Sequence, residues 1–115
     1  MNRILLAIAM GVTWADRVAA AEVEDSAFFE SKIRPILVAR CYECHSAAKK
    51  QQGGLRLDTR DGWRTGGDSG PAVVAGDPDK SLLIERILGE EAGAIMPPKN
   101  AGKPLTAQQI ADLVT

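Results

Sequence analysis

Five consecutive residues, Cys41-Tyr42-Glu43-Cys44-His45, hold the strongest chemical signal in the chain. Two thiols separated by two residues, with an imidazole directly after, have the spacing used for covalent haem attachment. The spacing has a mechanical reason. Such thiols reach two vinyl groups on neighbouring edges of a porphyrin, and the next side chain then lies beneath the ring as a neutral nitrogen ligand for iron. A thioredoxin-like dithiol needs a strand before the motif, whereas here a helical pattern runs into it. Structural zinc needs four ligands, and Cys41, Cys44 and His45 are the only cysteines and histidine in the chain. A simple disulfide beside an incidental histidine is the remaining alternative.

Haem iron takes a second axial ligand, and no second histidine exists to supply it. Met96, a lysine or water are the candidates. Met96 stands in Ile95-Met96-Pro97-Pro98, a loop stiffened by two prolines rather than a helical stripe. Most methionines fill gaps in a core, and that is the competing reading. Its loop setting favours ligation, as does its being the only methionine left once the leader is removed. The expected metal ligands are therefore His45 and Met96. A thioether opposite histidine stabilises ferrous iron and raises the reduction potential.

The start of the chain bears on compartment. Arg3 precedes an unbroken apolar run, Ile4 to Val12, and Val18-Ala19-Ala20-Ala21 offers small residues at both positions a signal peptidase inspects. The run is too short to span a bilayer, which takes about twenty residues. Residues 1–21 are expected to be a signal peptide, with a buried N-terminal helix as the alternative. Cleavage after Ala20 or Ala21 leaves roughly 95 residues, and Met1 and Met10 depart with the leader. Export also suits haem attachment, which needs reduced thiols and haem delivered outside the cytoplasm.

The composition is that of one small globular domain: 115 residues, 45% hydrophobic and 25% charged. Fourteen basic residues against fifteen acidic ones leave no clustered basic excess, so a nucleic-acid partner is not expected. Aromatics make up only 4% of the chain, which is thin for a self-filling core. A covalently held macrocycle would supply the missing mass. Leu37, Leu55, Leu57, Leu83, Ile87 and Ile95 are candidate pocket walls, and Trp63, Arg56 and Arg64 are weaker candidates for holding a propionate.

The elements that must position these groups are helical. From Ser26 to Arg40 the apolar positions Phe29, Ile33, Ile36, Leu37 and Cys41 recur at helical spacing, with Asp25 or Ser26 as the N-cap. Pro35 interrupts this pattern and predicts a kink or a fresh helix near Arg34. Residues 46–77 read as a long glycine-rich connector with one alternating piece at Leu55-Arg56-Leu57. Its glycines lack the Gly-Lys-Ser/Thr of a phosphate loop. A second helix is predicted to open at Asp77-Pro78 and stop at Gly89, with Leu82, Leu83, Ile87 and Leu88 on its apolar face. Thr106 and Gln109 form a capping box for a last helix with Ile110, Leu113 and Val114 on its buried face.

Together these pieces resemble the planctomycete-type cytochrome c domain, a branch of the class I-like cytochromes. The resemblance rests on Ile33-Arg34-Pro35-Ile36-Leu37, Cys41 to His45, Gly53-Gly54-Leu55-Arg56-Leu57-Asp58, Gly76 to Leu83, Met96-Pro97-Pro98 and Leu105-Thr106. It spans Phe28 to Thr115. It implies an all-α cytochrome c fold wrapped around one covalent haem c, with Cys41, Cys44, His45 and Met96 in the binding roles. In that family the last helix usually runs on to a Trp-Ile pair and a Gly-Ala ending. That segment is not in this sequence, so residues 22–115 read as a cytochrome c domain truncated in its last helix or as one end of a longer protein.

The expected function is single-electron transfer on the periplasmic or cell-envelope side, without catalysis, to a redox partner protein or an attached catalytic domain. No transmembrane segment is expected after signal cleavage. Three rivals stand beside it: an electron relay within a larger exported enzyme, a haem gas sensor with an open sixth position, and a periplasmic dithiol oxidoreductase using Cys41 and Cys44.

Overall fold

The computed structural model describes residues 11, 13–89, 95–102 and 104–115, and the apolar run of the expected signal peptide lies outside them apart from Gly11. Among the described residues every regular element is helical, so the all-α expectation holds. Helix α1 spans Trp14–Phe28. Thr13 and Asp16 cap it reciprocally: the Thr13 hydroxyl accepts the Asp16 amide at 3.4 Å, and the Thr13 amide donates to the Asp16 carboxylate at 3.3 Å. The expected cap at Asp25 or Ser26 does not form, because the strong helix formers Ala19, Ala20 and Ala21 carry the helix straight through those positions. No α1 residue is buried.

The backbone then widens into a single π-helical stretch, Phe29–Ile33, and tightens again as α2, Arg34–Arg40. Pro35 explains the change. It has no amide to give and its ring crowds the carbonyl one turn back, and a wider turn relieves both constraints without breaking the helix. The fresh start near Arg34 is thus as expected. Ile36 and Leu37 of α2 are buried, and the Leu37 carbonyl accepts both the Cys41 and Tyr42 amides at 2.9 Å. That shared acceptor ends α2 at the cysteine motif.

Residues 46–77 are more ordered than a connector. After a 3-10 turn at Gln52–Gly54 comes α3, Arg60–Thr65, which sequence reading missed. Thr59 caps α3 by accepting the Gly62 amide at 3.0 Å. A β-carbon on the buried Gly62 would stand 2.3 Å from the Arg56 carbonyl oxygen, so the close pass of these segments requires glycine. The Trp63 carbonyl accepts the Ala72 and Val73 amides, which returns the chain along α3.

The predicted opening of the second helix also needs correction. Asp77 caps only a 3-10 turn, Pro78–Lys80, and α4 proper runs Leu82–Leu88. Ser81 separates the two. Its backbone is extended, and its buried hydroxyl accepts the Val74 amide at 2.9 Å and donates to the Asp77 and Val74 carbonyls. Gly89 ends α4 in the left-handed conformation, φ 67°, as its position predicted. Helix α5, Ala107–Val114, opens on the Thr106–Gln109 capping box and packs against α4 and the π-helical stretch. Ile110 and Leu113 are half-buried, whereas Val114, expected on the buried face, is exposed. Among the described residues the buried apolar ones are Ile36, Leu37, Leu57, Ala72 and Ile87, a small core.

Candidate functional site

The motif is built as one more helical turn beyond α2. The Cys41 carbonyl accepts the Cys44 amide at 3.2 Å and the His45 amide at 3.0 Å. The turn is then pinned from below: Gln52 donates its amide to the Cys44 carbonyl at 2.9 Å, and Leu57 donates to the His45 carbonyl at 2.8 Å. Two further bonds close the far side, from the buried Ser46 hydroxyl to the Tyr42 carbonyl at 2.7 Å and from the Ala47 amide to Asp58 at 3.1 Å. Both backbone groups of His45 are therefore fixed by neighbours that are themselves fixed. Leu55 and Leu57, an isolated alternating pair in the sequence, are the segment that holds it.

Cys41 and Cys44 are free, half-buried thiols. Burial, with a smaller contribution from Cys44, pushes the Cys41 thiol up to about 11. Burial also raises the Tyr42 phenol. His45 is half-buried, and its Nδ1 is buried with no hydrogen-bond partner among the described residues.

Met96 reaches the same place from the other end of the chain. Its amide donates to the Arg86 carbonyl in the last turn of α4 at 2.9 Å, which ties the loop to the helix. Helix α4 is in turn tied to the connector by the Leu83 amide on the Ala72 carbonyl at 2.9 Å. His45 and Met96 line one cavity of about 360 Å³, within the roughly 300–1,000 Å³ of small-molecule and cofactor sites. Its apolar wall is Leu55, Ala72, Leu82 and Leu83, and Met96 is 38% exposed at its edge. Neither thiol lines it; both stand beside it on the turn that presents His45.

Sequence reading missed Gln52 and Arg86 as lining residues. Arg86 had a usable signal, since it follows Leu82 by one helical turn and so shares its face. Some proposed walls lie elsewhere. Leu37, Leu57 and Trp63 line a larger cavity of about 540 Å³ between the π-helical stretch, the connector and the end of α5. Leu83 borders both cavities, and Ile87 and Ile95 border neither. Arg56 and Arg64 are exposed and line neither.

The donor set suits a haem of the covalent kind: an imidazole and a thioether share one apolar-walled cavity, and two reduced thiols flank the imidazole. The orphaned, buried Nδ1 is consistent with a ring whose position is set by something other than a protein hydrogen bond. Arg86 also lines the cavity.

A protein-family model described as Planctomycete cytochrome C matches residues 41–100, more than half of the chain. That stretch begins at the first cysteine of the motif and ends beyond Met96. Neither the curated proteins nor the solved structures include a match.

Proposed function

Because the chain belongs to the planctomycete cytochrome c family, we propose that it is an exported electron carrier binding one haem c through Cys41, Cys44, His45 and Met96. The observation behind this reading is that His45 and Met96, about fifty residues apart in sequence, line the same cavity. A haem bound there supplies a one-electron ferric–ferrous couple.

The chain's own residues do the rest. Cys41 and Cys44 would hold the haem by thioether bonds, each thiol adding across one vinyl double bond with its hydrogen going to the neighbouring carbon, so that no oxidant would be consumed. His45, clamped through both its backbone groups, presents a ring nitrogen on one side. Met96 presents its thioether from the loop tied to Arg86. Leu55, Ala72, Leu82 and Leu83 give that space an apolar wall, and an apolar surround favours the less charged ferrous state. The chemistry assigned to the domain is transfer of single electrons to a redox partner.

The dithiol alternative fares worse. A nucleophilic cysteine of that class has its thiol lowered, whereas burial raises Cys41. Export rests on residues 1–21. Cleavage at its end would remove the first half of α1, a helix with no buried residue. Among the described residues no helix is long and apolar enough to cross a membrane.

The test is an absorption spectrum of the chain produced with haem-attachment machinery, oxidised and reduced, as wild type and as Met96→Ala. A covalent haem c spectrum is expected, with a weak sulfur-to-iron band at the red end that the substitution abolishes. Absence of haem, or a spectrum indifferent to the substitution, refutes the assignment.

A further inference from the structure

The end of α4 contains a contact that bears on Met96. Gly89 has φ 67° and ψ 33°, and the Ile95 side chain rests on its bare α-carbon. A β-carbon at this position would stand 2.8 Å from Ile95 Cδ1 and 3.2 Å from Cγ1, and only the Cβ contact, at 3.6 Å, would be ordinary. Ile95 is half-buried and immediately precedes Met96, whose amide is held by Arg86 three residues before Gly89. The Met96 backbone is thus located by two contacts on one helix end: a hydrogen bond to the last turn, and an apolar side chain seated on the glycine that terminates it.

We infer that Gly89 is a positioning residue for Met96, acting through the seat it gives Ile95, and that any side chain there displaces the thioether from the cavity. The inference rests on Met96 being a ligand. Two physical effects add at this position. An L-residue is disfavoured in the left-handed conformation, and a β-carbon obliges Ile95 to move its Cδ1 aside and to yield by a few tenths of an ångström at Cγ1. The second effect separates a role in ligation from a role in helix termination, because it can be relieved from the other side. Ile95→Val removes the Cδ1 atom that makes the closest approach.

The experiment compares the haem-loaded wild type with Gly89→Ala, Ile95→Val and the double variant. The readouts are covalent haem content, the sulfur-to-iron band of the oxidised protein, and carbon monoxide binding by the reduced protein. Gly89→Ala is expected to keep its covalent haem and lose at least four-fifths of the band, with carbon monoxide binding rising at least fivefold. Ile95→Val alone should keep the band, and the double variant should regain at least half of what Gly89→Ala lost. Retention of the band in Gly89→Ala overturns the inference, and so does a loss that Ile95→Val does not relieve. If the wild type itself shows covalent haem but no such band, then the ligand assignment of Met96 has failed instead. If Gly89→Ala gives no haem-loaded protein, Gly89→Asn, which tolerates the left-handed turn but still crowds Ile95, takes its place with the same expected loss.

Discussion

Leu57→Ala should be among the most damaging single substitutions outside the haem motif. Leu57 is 6% exposed and its amide holds the His45 carbonyl, so its side chain anchors the segment beneath the motif. Truncation removes three carbons, worth about 2.4 kcal/mol at roughly 0.8 kcal/mol for each buried carbon. The space left behind adds to this, because Leu57 borders the larger cavity, whose existing volume leaves Leu37 and Trp63 nothing to close against. The expected cost is therefore about 3–4 kcal/mol, inside the range of measured leucine truncations. A domain of this size has a urea m-value of about 1–1.5 kcal/mol/M, so the midpoint should fall by roughly 2–4 M with m unchanged. Urea titration of the haem-loaded protein, followed by far-ultraviolet circular dichroism, measures it. Leu88→Ala is the control: Leu88 is 49% exposed and its truncation should cost under about 1 kcal/mol. A Leu57 midpoint no lower than that of the Leu88 control refutes the claim that this side chain anchors the site.

Two further outcomes are expected. Ser81→Ala strands the half-buried Val74 amide and leaves the Asp77 carbonyl without its hydroxyl donor, at a cost of about 1–3 kcal/mol visible as a lower urea midpoint; Ser81→Thr, which keeps the hydroxyl, should recover part of it. In the haem-free chain carrying Cys44→Ser, alkylation of Cys41 should rise with pH towards a midpoint above the usual thiol range, because burial disfavours its thiolate, though below the value of about 11 that Cys44 helps to set. At pH 8 alkylation should therefore run more than about tenfold slower than for a free cysteine. The sign for stability follows. The neutral thiol's contribution is complete below about pH 8.5, the value for an unfolded cysteine, and is lost as pH rises through about 11. An alkylation midpoint near 8.5, in a chain that circular dichroism shows to be folded, contradicts the buried placement.

Local signals explain most of what the sequence made legible. Thr106 with Gln109, Gly89 after Leu88, and Pro35 within an apolar periodicity each act through bonds or clashes reaching no further than four residues, so their consequences appear where the residues stand. Helix α3 was missed because six residues with only a half-buried Trp63 give no periodicity to detect, although Thr59 and Gly66 were available as start and stop. The α4 start was misplaced because the Ser81 hydroxyl reaches back seven residues to Val74, a partner that no local pattern reveals. The motif and Met96 were readable by type and spacing, but which leucines face them was not. Leu55 and Leu57 are two apart on one extended segment and lie on different cavities, a division made by the packing of α3 and α4 around them.

The hydrogen bond from Met96 to Arg86 also changes how far the thioether must search. Measured from His45, bringing a sulfur to the cavity closes a loop of about fifty residues; measured from Arg86, which the fold already holds in place, the span is about ten. Loop-closure entropy falls with that shortening by about 1.4 kcal/mol, close to a tenfold rise in effective local concentration. On the proposed ligation, an external ligand such as imidazole would compete against a sulfur concentrated by the fold and not by iron affinity alone. Loosening this helix end would make the site easier to invade without altering any atom of the proposed ligands.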